Sequence, residues 1–155
     1  MLLRVGMIAK PYAACFNVLV IFVLHSFMLE AAAKTYGNVV IDEVTSIYDA
    51  DTFRANINHW PDVIGESISI RVLGIDAPEI RGKCKAEKQA ALRAKQFTVM
   101  ALSNARRIEL RNIQRGKYFR LLADVWVDGE SLAQGLIKAG LARVYDGGKR
   151  LGWCG

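Results

Sequence analysis

The sequence predicts an α+β fold, mainly β with helices, built as a small five-stranded antiparallel barrel with two or three packed helices. Two observations support this class. Apolar and polar residues alternate over most of the chain after residue 38, which is the period of a half-buried strand. Helical spacing replaces this alternation in two places, so the order is strands, helix, strands, helix. This order is typical of the OB-fold barrel, although periodicity alone leaves an α+β sandwich open.

The first half of the chain supplies strands separated by a loop. Residues 52–57 predict a strand that begins just after Asp51, with that acid on its apolar, inward side. Residues 58–65 contain Pro61 and predict a loop. Residues 67–75 alternate again and predict a second strand. Pro78 ends that strand because it has no backbone donor for the ladder.

The second half begins with a helix over residues 85–104. Its predicted apolar stripe consists of Ala90, Ala94, Phe97 and Ala101. Two strands should follow, at residues 107–113 and 118–127. Asp128-Gly129 predicts the turn after them. A last helix should be capped at its start by Ser131 and ended by Gly140.

Composition suits one domain with a substantial core, since the chain has 155 residues of which 52% are hydrophobic. The formal charge is +6 and the sequence pI is about 9.4. A basic surface attracts polyanions, so nucleic acid and anionic membranes are the first partners to consider. Charge alone does not choose between a nucleic-acid-binding role and simple solubility.

The N-terminal segment has the pattern of an export signal, which we assign to residues 1–33. Arg4 and Lys10 form its basic part, a mainly apolar run covers residues 12–29, and Ala33 ends a small-residue cleavage site. The mature domain would then be residues 34–155, located in the periplasm or outside the cell. An uncleaved membrane anchor is the alternative, because the apolar run is near the length that spans a bilayer.

Two cysteines remain after removal of the segment that contains Cys15. Cys84 and Cys154 are an even pair in a predicted exported protein, which favours one disulfide closing a loop of 70 residues. Two free buried thiols are the alternative. A metal site at these cysteines is disfavoured because no His or further Cys stands at ligand spacing.

Three clusters place charge at strand ends, where functional groups often converge. The carboxylates Asp51, Asp76 and Glu79 are the oxygen ligands that a hard cation such as Ca²⁺ or Mg²⁺ prefers. Arg71 and Arg120 have the planar fork that grips a phosphate through two oxygens. Together these groups suit hydrolysis of a phosphodiester by water. Each alone is also typical of an ordinary turn cap or a solvated strand face.

Five motifs in this order and spacing resemble the staphylococcal nuclease, or thermonuclease, family, over about residues 39–145. They are Asp49-Ala50-Asp51-Thr52, Arg71-Val72-Leu73-Gly74-Ile75-Asp76-Ala77-Pro78-Glu79, Lys117-Tyr118-Phe119-Arg120-Leu121, Asp128-Gly129 and Gly140-Leu141-Ala142-Arg143-Val144-Tyr145. The resemblance implies an OB-fold nuclease that hydrolyses DNA and RNA with low sequence preference. Its products would carry a 3′-phosphate, and it would act as a monomer.

The resemblance also implies a role for each matching residue. The metal, calcium in the family with magnesium or another divalent ion left open, would be held by Asp51, Asp76 and the backbone carbonyl of Ala77. Glu79 would orient or deprotonate the attacking water, and Arg71 and Arg120 would grip the scissile phosphate. Asp49 matches an acid close to the metal ligands, and Lys117 and Tyr118 match residues beside the bound nucleotide.

The chain departs from the family's best-known member in three places, one of which is Ala77, where that member has Thr. Phe119 replaces a glycine, and the chain lacks a long C-terminal helix, so Cys154 bonded to Cys84 would fasten a shortened tail instead. Two rival functions remain from the sequence. One is a catalytically inactive OB-fold module that binds nucleic acid, and the other is a membrane-anchored adaptor.

Overall fold

The structure is a computed structural model, and it describes residues 34–154. The predicted signal peptide, residues 1–33, lies outside the described residues. Within the described part of the chain, no helix is long and apolar enough to cross a bilayer.

Nine strands and three helices make up the described chain. The strands are β1 (Val39–Val40), β2 (Glu43–Ile47), β3 (Thr52–Asn56), β4 (Ile68–Val72), β5 (Ile75–Asp76), β6 (Ile108–Arg115), β7 (Leu121–Val127), β8 (Glu130–Ser131) and β9 (Arg143–Val144). The helices are α1 (Asp62–Gly65), α2 (Lys85–Ser103) and α3 (Leu132–Lys138).

The main sheet is mixed and curls into a half-barrel. Its strand order is β1-β6-β7-β4-β3-β2, and β8 is added at the side of β7. The β4–β7 pair is parallel, whereas the other pairs are antiparallel. Five of these strands have five or more residues, so the predicted OB-fold class with helices is confirmed. A separate two-stranded ladder joins β5 to β9.

The core lies inside the curl and follows the predicted alternation. Phe53, Ala55, Ile70 and Leu110 are fully buried and belong to one continuous cluster. Each large side chain buried in this way contributes about 1.5–3 kcal/mol. A shift in the register of β3 would expose these side chains to solvent, so their burial fixes the register. That register places Asp51 at the start of the same strand.

Helix α2 packs on the barrel one position away from its predicted stripe. Its buried residues are Glu87, Ala91, Ala94, Thr98 and Leu102. Phe97 packs against the core, as its place in the predicted stripe requires, but is only partly buried; its ring lies close to Gly135 of α3. The Thr98 hydroxyl donates a buried hydrogen bond to the Ala50 carbonyl at 2.8 Å. This bond ties α2 directly to the turn that carries Asp49 and Asp51.

Three strand and loop boundaries differ from prediction. The predicted loop 58–65 contains one helical turn, α1. The predicted strand 67–75 is divided by a turn at Gly74, whose φ of +76° is easy only for glycine. The predicted strand 118–127 starts only at Leu121, because Tyr118 and Phe119 both have left-handed backbone conformations.

The capping signals of the last helix are confirmed. Ser131 Oγ accepts a hydrogen bond from the Gln134 backbone N–H at 3.3 Å, and Gly140 has a φ of +68° beyond the helix end. Asp128 and Gly129 form the predicted turn between β7 and β8, both with positive φ. These local signals act through neighbouring residues, which is why sequence alone locates them.

Candidate active site

The turn between β2 and β3 places two acids side by side. The Asp51 backbone N–H donates to Asp49 Oδ1 at 3.2 Å, and the Thr52 hydroxyl donates to Asp51 Oδ1 at 2.9 Å. The backbone N–H groups of Tyr48 and Asp49 both bond to the Thr52 carbonyl. Asp49 and Asp51 are only 4% and 2% exposed. The turn therefore holds two carboxylates in a fixed, largely dry position.

Burial changes the acidity of both groups. Desolvation, together with the negative charge of Asp51, raises the pKa of Asp49 to about 7. Burial also raises the pKa of Asp51, but the nearby guanidinium of Arg71 opposes this effect. A positive charge placed beside these two buried acids would stabilise their ionised carboxylate forms.

Arg71 supplies one such charge from the neighbouring strand. It lies on β4 directly opposite Thr52, and its Nη2 is 2.8 Å from Asp51 Oδ2. The side chain is 13% exposed, and Nη2 makes no well-aligned hydrogen bond despite this short distance. The contact is therefore mainly coulombic, and the guanidinium retains donor capacity for another oxygen ligand.

The second acidic segment follows the turn at Gly74. β5 carries Asp76 and pairs with β9, where Asp76 lies opposite Arg143. Asp76 and Ala77 are buried, whereas the side chain of Glu79 is 40% exposed. The segment thus combines a buried acid suited to a metal ligand with an accessible carboxylate that water can reach.

Arg120 immediately precedes β7, the strand that pairs with β4. Arg71 is aligned with Leu122 of β7, so Arg120 stands two residues before that partner along the chain. Its Nε is buried and has no hydrogen-bond partner among the described residues. A buried donor without a partner is costly, and an anion bound here would satisfy it.

The loop before Arg120 carries the predicted nucleotide-adjacent residues. The Gly116 backbone N–H bonds to the Arg120 carbonyl at 2.7 Å and closes the loop tightly. Lys117 and Tyr118 point to solvent, and Tyr118 is 91% exposed. Phe119 has a φ of +56°, a backbone conformation that favours glycine.

Beside Arg120 lies an apolar groove that the sequence did not reveal. It encloses about 280 Å³, and its wall includes Tyr36, Trp60 and Phe119, with Arg115 at its edge. The Arg115 guanidinium lies 5.5 Å from the centroid of the Phe119 ring. The sequence places Trp60 and Pro61 in a predicted loop. Nothing in the sequence indicates which part of the fold that loop packs against.

The predicted disulfide is present between Cys84 and Cys154, whose Cα atoms are 6.0 Å apart. Cys84 also caps α2, because its sulfur accepts from the Glu87 backbone N–H at 3.4 Å. The bond brings the end of the chain to the site, where Arg150 and Trp153 contact Asp76. Sequence reasoning missed both residues, because nothing near them in the chain indicates an acidic partner 70 or more residues away.

The donor set fits a divalent cation. Two guanidinium groups, those of Arg71 and Arg150, make ion-pair contacts with Asp51, Asp76 and Glu79. Asp49 lies beside Asp51 in the same turn and accepts a hydrogen bond from its backbone N–H. Asp76 Oδ1 is buried and makes no aligned hydrogen bond, so this oxygen retains the capacity to bind a cation. Carboxylate and carbonyl oxygens are the ligands that Ca²⁺ and Mg²⁺ prefer.

The carboxylates of the predicted cation site lie farther apart than the ligands of a bound cation would. In the described part of the chain, one group of three ligand-type side chains has its ligand atoms within 4.8 Å of one another: Cys84, Glu87 and Cys154. Both of its sulfurs belong to the disulfide, so they are not thiolate ligands. The acids of the predicted cation site are more widely spaced, and Arg150 lies among them.

Comparison with known proteins identifies the family of the chain. The family model described as staphylococcal nuclease homologue matches residues 69–150, which is more than half of the chain. The chain belongs to this family. The matched region contains Arg71, Asp76, Glu79 and Arg120, whereas Asp49 and Asp51 precede it.

Individual proteins that resemble this chain carry the names of nucleases. A thermonuclease of Staphylococcus hyicus is 28% identical, with 79% of this chain and 69% of the relative covered. Endonuclease YncB of Bacillus subtilis is 34% identical, with 72% and 49% covered. The prophage-derived endonuclease YokF of the same species is 36% identical, with 72% and 35% covered.

The chain thus spans about half or less of the two Bacillus endonucleases. The family and the names of its members support a hydrolase of the nuclease class.

Proposed function

We propose that this protein is an exported, divalent-metal-dependent nuclease that hydrolyses phosphodiester bonds of DNA and RNA with low sequence preference. The observation that carries the proposal has two parts: two buried acidic segments lie beside Arg71, and Arg120, just before the strand that pairs with β4, holds an unsatisfied donor. Asp51 and Asp76 supply the acids, and Arg120 supplies the donor. Such a site binds a cation and a phosphate side by side, which is what hydrolysis of a phosphodiester requires.

The cation would be held by Asp51, Asp76 and the carbonyl of Ala77, and we favour calcium over magnesium. When bound, it supplies positive charge that screens the phosphate and polarises water. Calcium accepts irregular sets of oxygen ligands, whereas magnesium demands near-octahedral geometry. The ligands here come from a turn and from a short two-residue strand, so an adaptable coordination shell suits them better.

Glu79 is the residue proposed to handle the water. Its half-exposed carboxylate can accept a proton from a water molecule as the water oxygen forms its bond to phosphorus. The bond from phosphorus to the 5′-oxygen then breaks, and the leaving oxygen takes up a proton from solvent. The product on the other side retains a 3′-phosphate. Asp49, which is buried beside Asp51, would keep the metal-binding turn in position.

Arg71 on β4 and Arg120 just before β7 would bind the phosphate together. Two planar guanidinium groups held by a pair of adjacent strands in this way can contact several phosphate oxygens and stabilise the charge that develops on them. The groove next to Arg120 has aromatic walls that suit stacking of an unpaired base, which is tolerant of sequence. Lys117 and Tyr118, on the exposed loop, would lie along the nucleotide.

We also propose that the protein acts outside the cytoplasm as a monomer after removal of residues 1–33. The Cys84–Cys154 disulfide supports an oxidising location, because such bonds persist there and are rare in the cytosol. A retained N-terminal anchor is the competing arrangement. Sequencing the N-terminus of the protein recovered after expression distinguishes the two: a mature chain starting at Lys34 supports cleavage, and a start at Met1 opposes it.

The decisive assay is digestion of supercoiled plasmid and of an RNA transcript by the purified protein, with calcium, with magnesium and with a chelator. The Glu79→Gln variant is run beside Glu130→Gln, a matched change at an exposed residue of β8, just before α3. We expect cleavage with calcium, none with chelator, and a loss confined to the Glu79 variant. Binding of nucleic acid without cleavage under all conditions would instead identify the protein as an OB-fold binding module.

A further inference from the structure

The C-terminal tail, residues 146–154, folds back onto the proposed active site and is fixed there at several points. Cys154 is bonded to Cys84 at the start of α2. The Trp153 indole N–H donates to Asp76 Oδ2 at 3.2 Å, and the guanidinium of Arg143 stacks 3.8 Å from the centroid of the Trp153 ring. The tail therefore has a defined position against the acid that we propose as a metal ligand.

Arg150 is the tail residue that reaches the acids most directly. Its Nε lies 3.0 Å from Asp76 Oδ1, and its Nη1 donates to Glu79 Oε1 at 2.7 Å. One guanidinium thus bridges the proposed metal ligand and the proposed acceptor of the water proton. Arg150 is 41% exposed, so its departure from this position would not require the core to open.

A guanidinium and a divalent cation cannot share these oxygens at close range. Both carry positive charge, and a cation bound to Asp76 Oδ1 would occupy the space beside this oxygen where Arg150 Nε now lies in ion-pair contact. Asp76 is buried, so its charge is poorly screened and strongly favours whichever cation is present. Metal binding must therefore displace Arg150 or at least weaken its contacts.

We propose that the tail is a tethered competitor of the metal, in which Arg150 lowers the cation affinity of the active site by occupying Asp76 and Glu79. This inference rests on the proposed metal-dependent function. It assigns to Arg150 a role that differs from the phosphate-binding role proposed for Arg71 and Arg120. Both contacting nitrogens of Arg150 face carboxylates, whereas Arg120 has a buried Nε without a partner among the described residues.

The disulfide makes the competition effective. Arg150 is four residues from Cys154, and four residues span at most about 14 Å when fully extended. The competing guanidinium consequently stays at a high local concentration near the acids while the bond is intact. Without the bond, the tail is tied covalently only at β9 and otherwise through non-covalent contacts, so Arg150 spends less time on Asp76.

Isothermal titration of the chelator-treated full chain with calcium tests this proposal without relying on cleavage. Four proteins are compared: wild type, Arg150→Gln, Lys149→Gln and the double variant Cys84→Ser/Cys154→Ser. Lys149 is the matched control, since it is the adjacent exposed residue and the charge change is the same. Asp51→Asn serves to show that the measured heat comes from the proposed site.

We expect calcium to bind Arg150→Gln on the order of tenfold more tightly than wild type, the effect of removing one charge-assisted pair. Lys149→Gln should stay within about twofold, because its charge is screened by solvent. The double cysteine variant should fall between wild type and Arg150→Gln. Calcium-induced shifts in melting temperature provide a second readout with the same expected order.

An equal affinity for Arg150→Gln and Lys149→Gln overturns the competition. So does weaker binding by Arg150→Gln, and weaker binding together with slower turnover would identify Arg150 as a third phosphate-binding arginine. If none of the proteins binds calcium, or if Asp51→Asn binds it as wild type does, the proposed metal site fails as well. That outcome is distinguishable from unchanged affinity at a working site.

Discussion

Replacing both Cys84 and Cys154 by serine should destabilise the fold far more than it slows the enzyme at low temperature. The bond closes a loop of 70 residues, and loop-closure entropy assigns about 4 kcal/mol to such a loop. A serine in place of Cys84 can still cap α2, because serine is among the preferred N-cap residues. The change therefore removes the cross-link with little disturbance of the helix start.

The measured loss should be smaller than this upper figure. Once the bond is absent, the mostly exposed tail of residues 146–154 can detach locally and regain conformational freedom in the native state. We therefore expect a fall of roughly 2–4 kcal/mol in the free energy of unfolding. At about 4 °C per kcal/mol for a domain of this size, the melting temperature should drop by roughly 8–16 °C.

Urea unfolding and thermal circular dichroism measure the effect, with wild type under reducing conditions as the internal comparison. The double variant and reduced wild type should agree, because both lack the cross-link. A double variant within about 0.5 kcal/mol of oxidised wild type would refute the reasoning. Thiol titration of unfolded wild type without reductant gives an independent test, since reactive thiols at both positions would show that the bond does not form.

Three further outcomes follow from the site. Glu79→Gln should keep the fold and calcium binding while lowering turnover by orders of magnitude, and near-normal turnover would remove Glu79 from the mechanism. Arg71→Lys and Arg120→Lys should each slow cleavage by about 10²–10³, because lysine lacks the planar fork; wild-type rates in both would make these arginines ordinary surface charge. Burial raises the pKa of Asp49 from 3.8 to about 7, so the native state holds this proton more tightly than the unfolded chain does. The linked stability is present at low pH and is lost as pH rises from about 4 to 7, and Asp49→Asn should flatten this part of the metal-free stability profile. An unchanged profile in that variant would show that Asp49 titrates normally.

Much of the fold was accessible from sequence because its signals are local. Strand β3 is predicted by alternation, and the same alternation places Asp51 on the buried side, where the structure has it. The cap at Ser131 and the glycine at Gly140 act through residues three or four positions away. The family resemblance added the roles proposed for the acids and arginines, which periodicity does not provide.

Tertiary structure alone decided how the end of the chain meets the active site. The pairing of β5 with β9 and the contacts of Arg150 with Asp76 and Glu79 join segments about 70 residues apart. No periodic pattern encodes such pairings, because they depend on which surfaces remain exposed after the barrel has closed. The left-handed backbone conformation of Phe119 could not be read from the sequence either. The hydrogen bond between Gly116 and Arg120 closes the loop, and Phe119 adopts a positive φ there although non-glycine residues disfavour it. Sequence therefore determined the parts of the site, and long-range packing determined that a cationic tail lies across them.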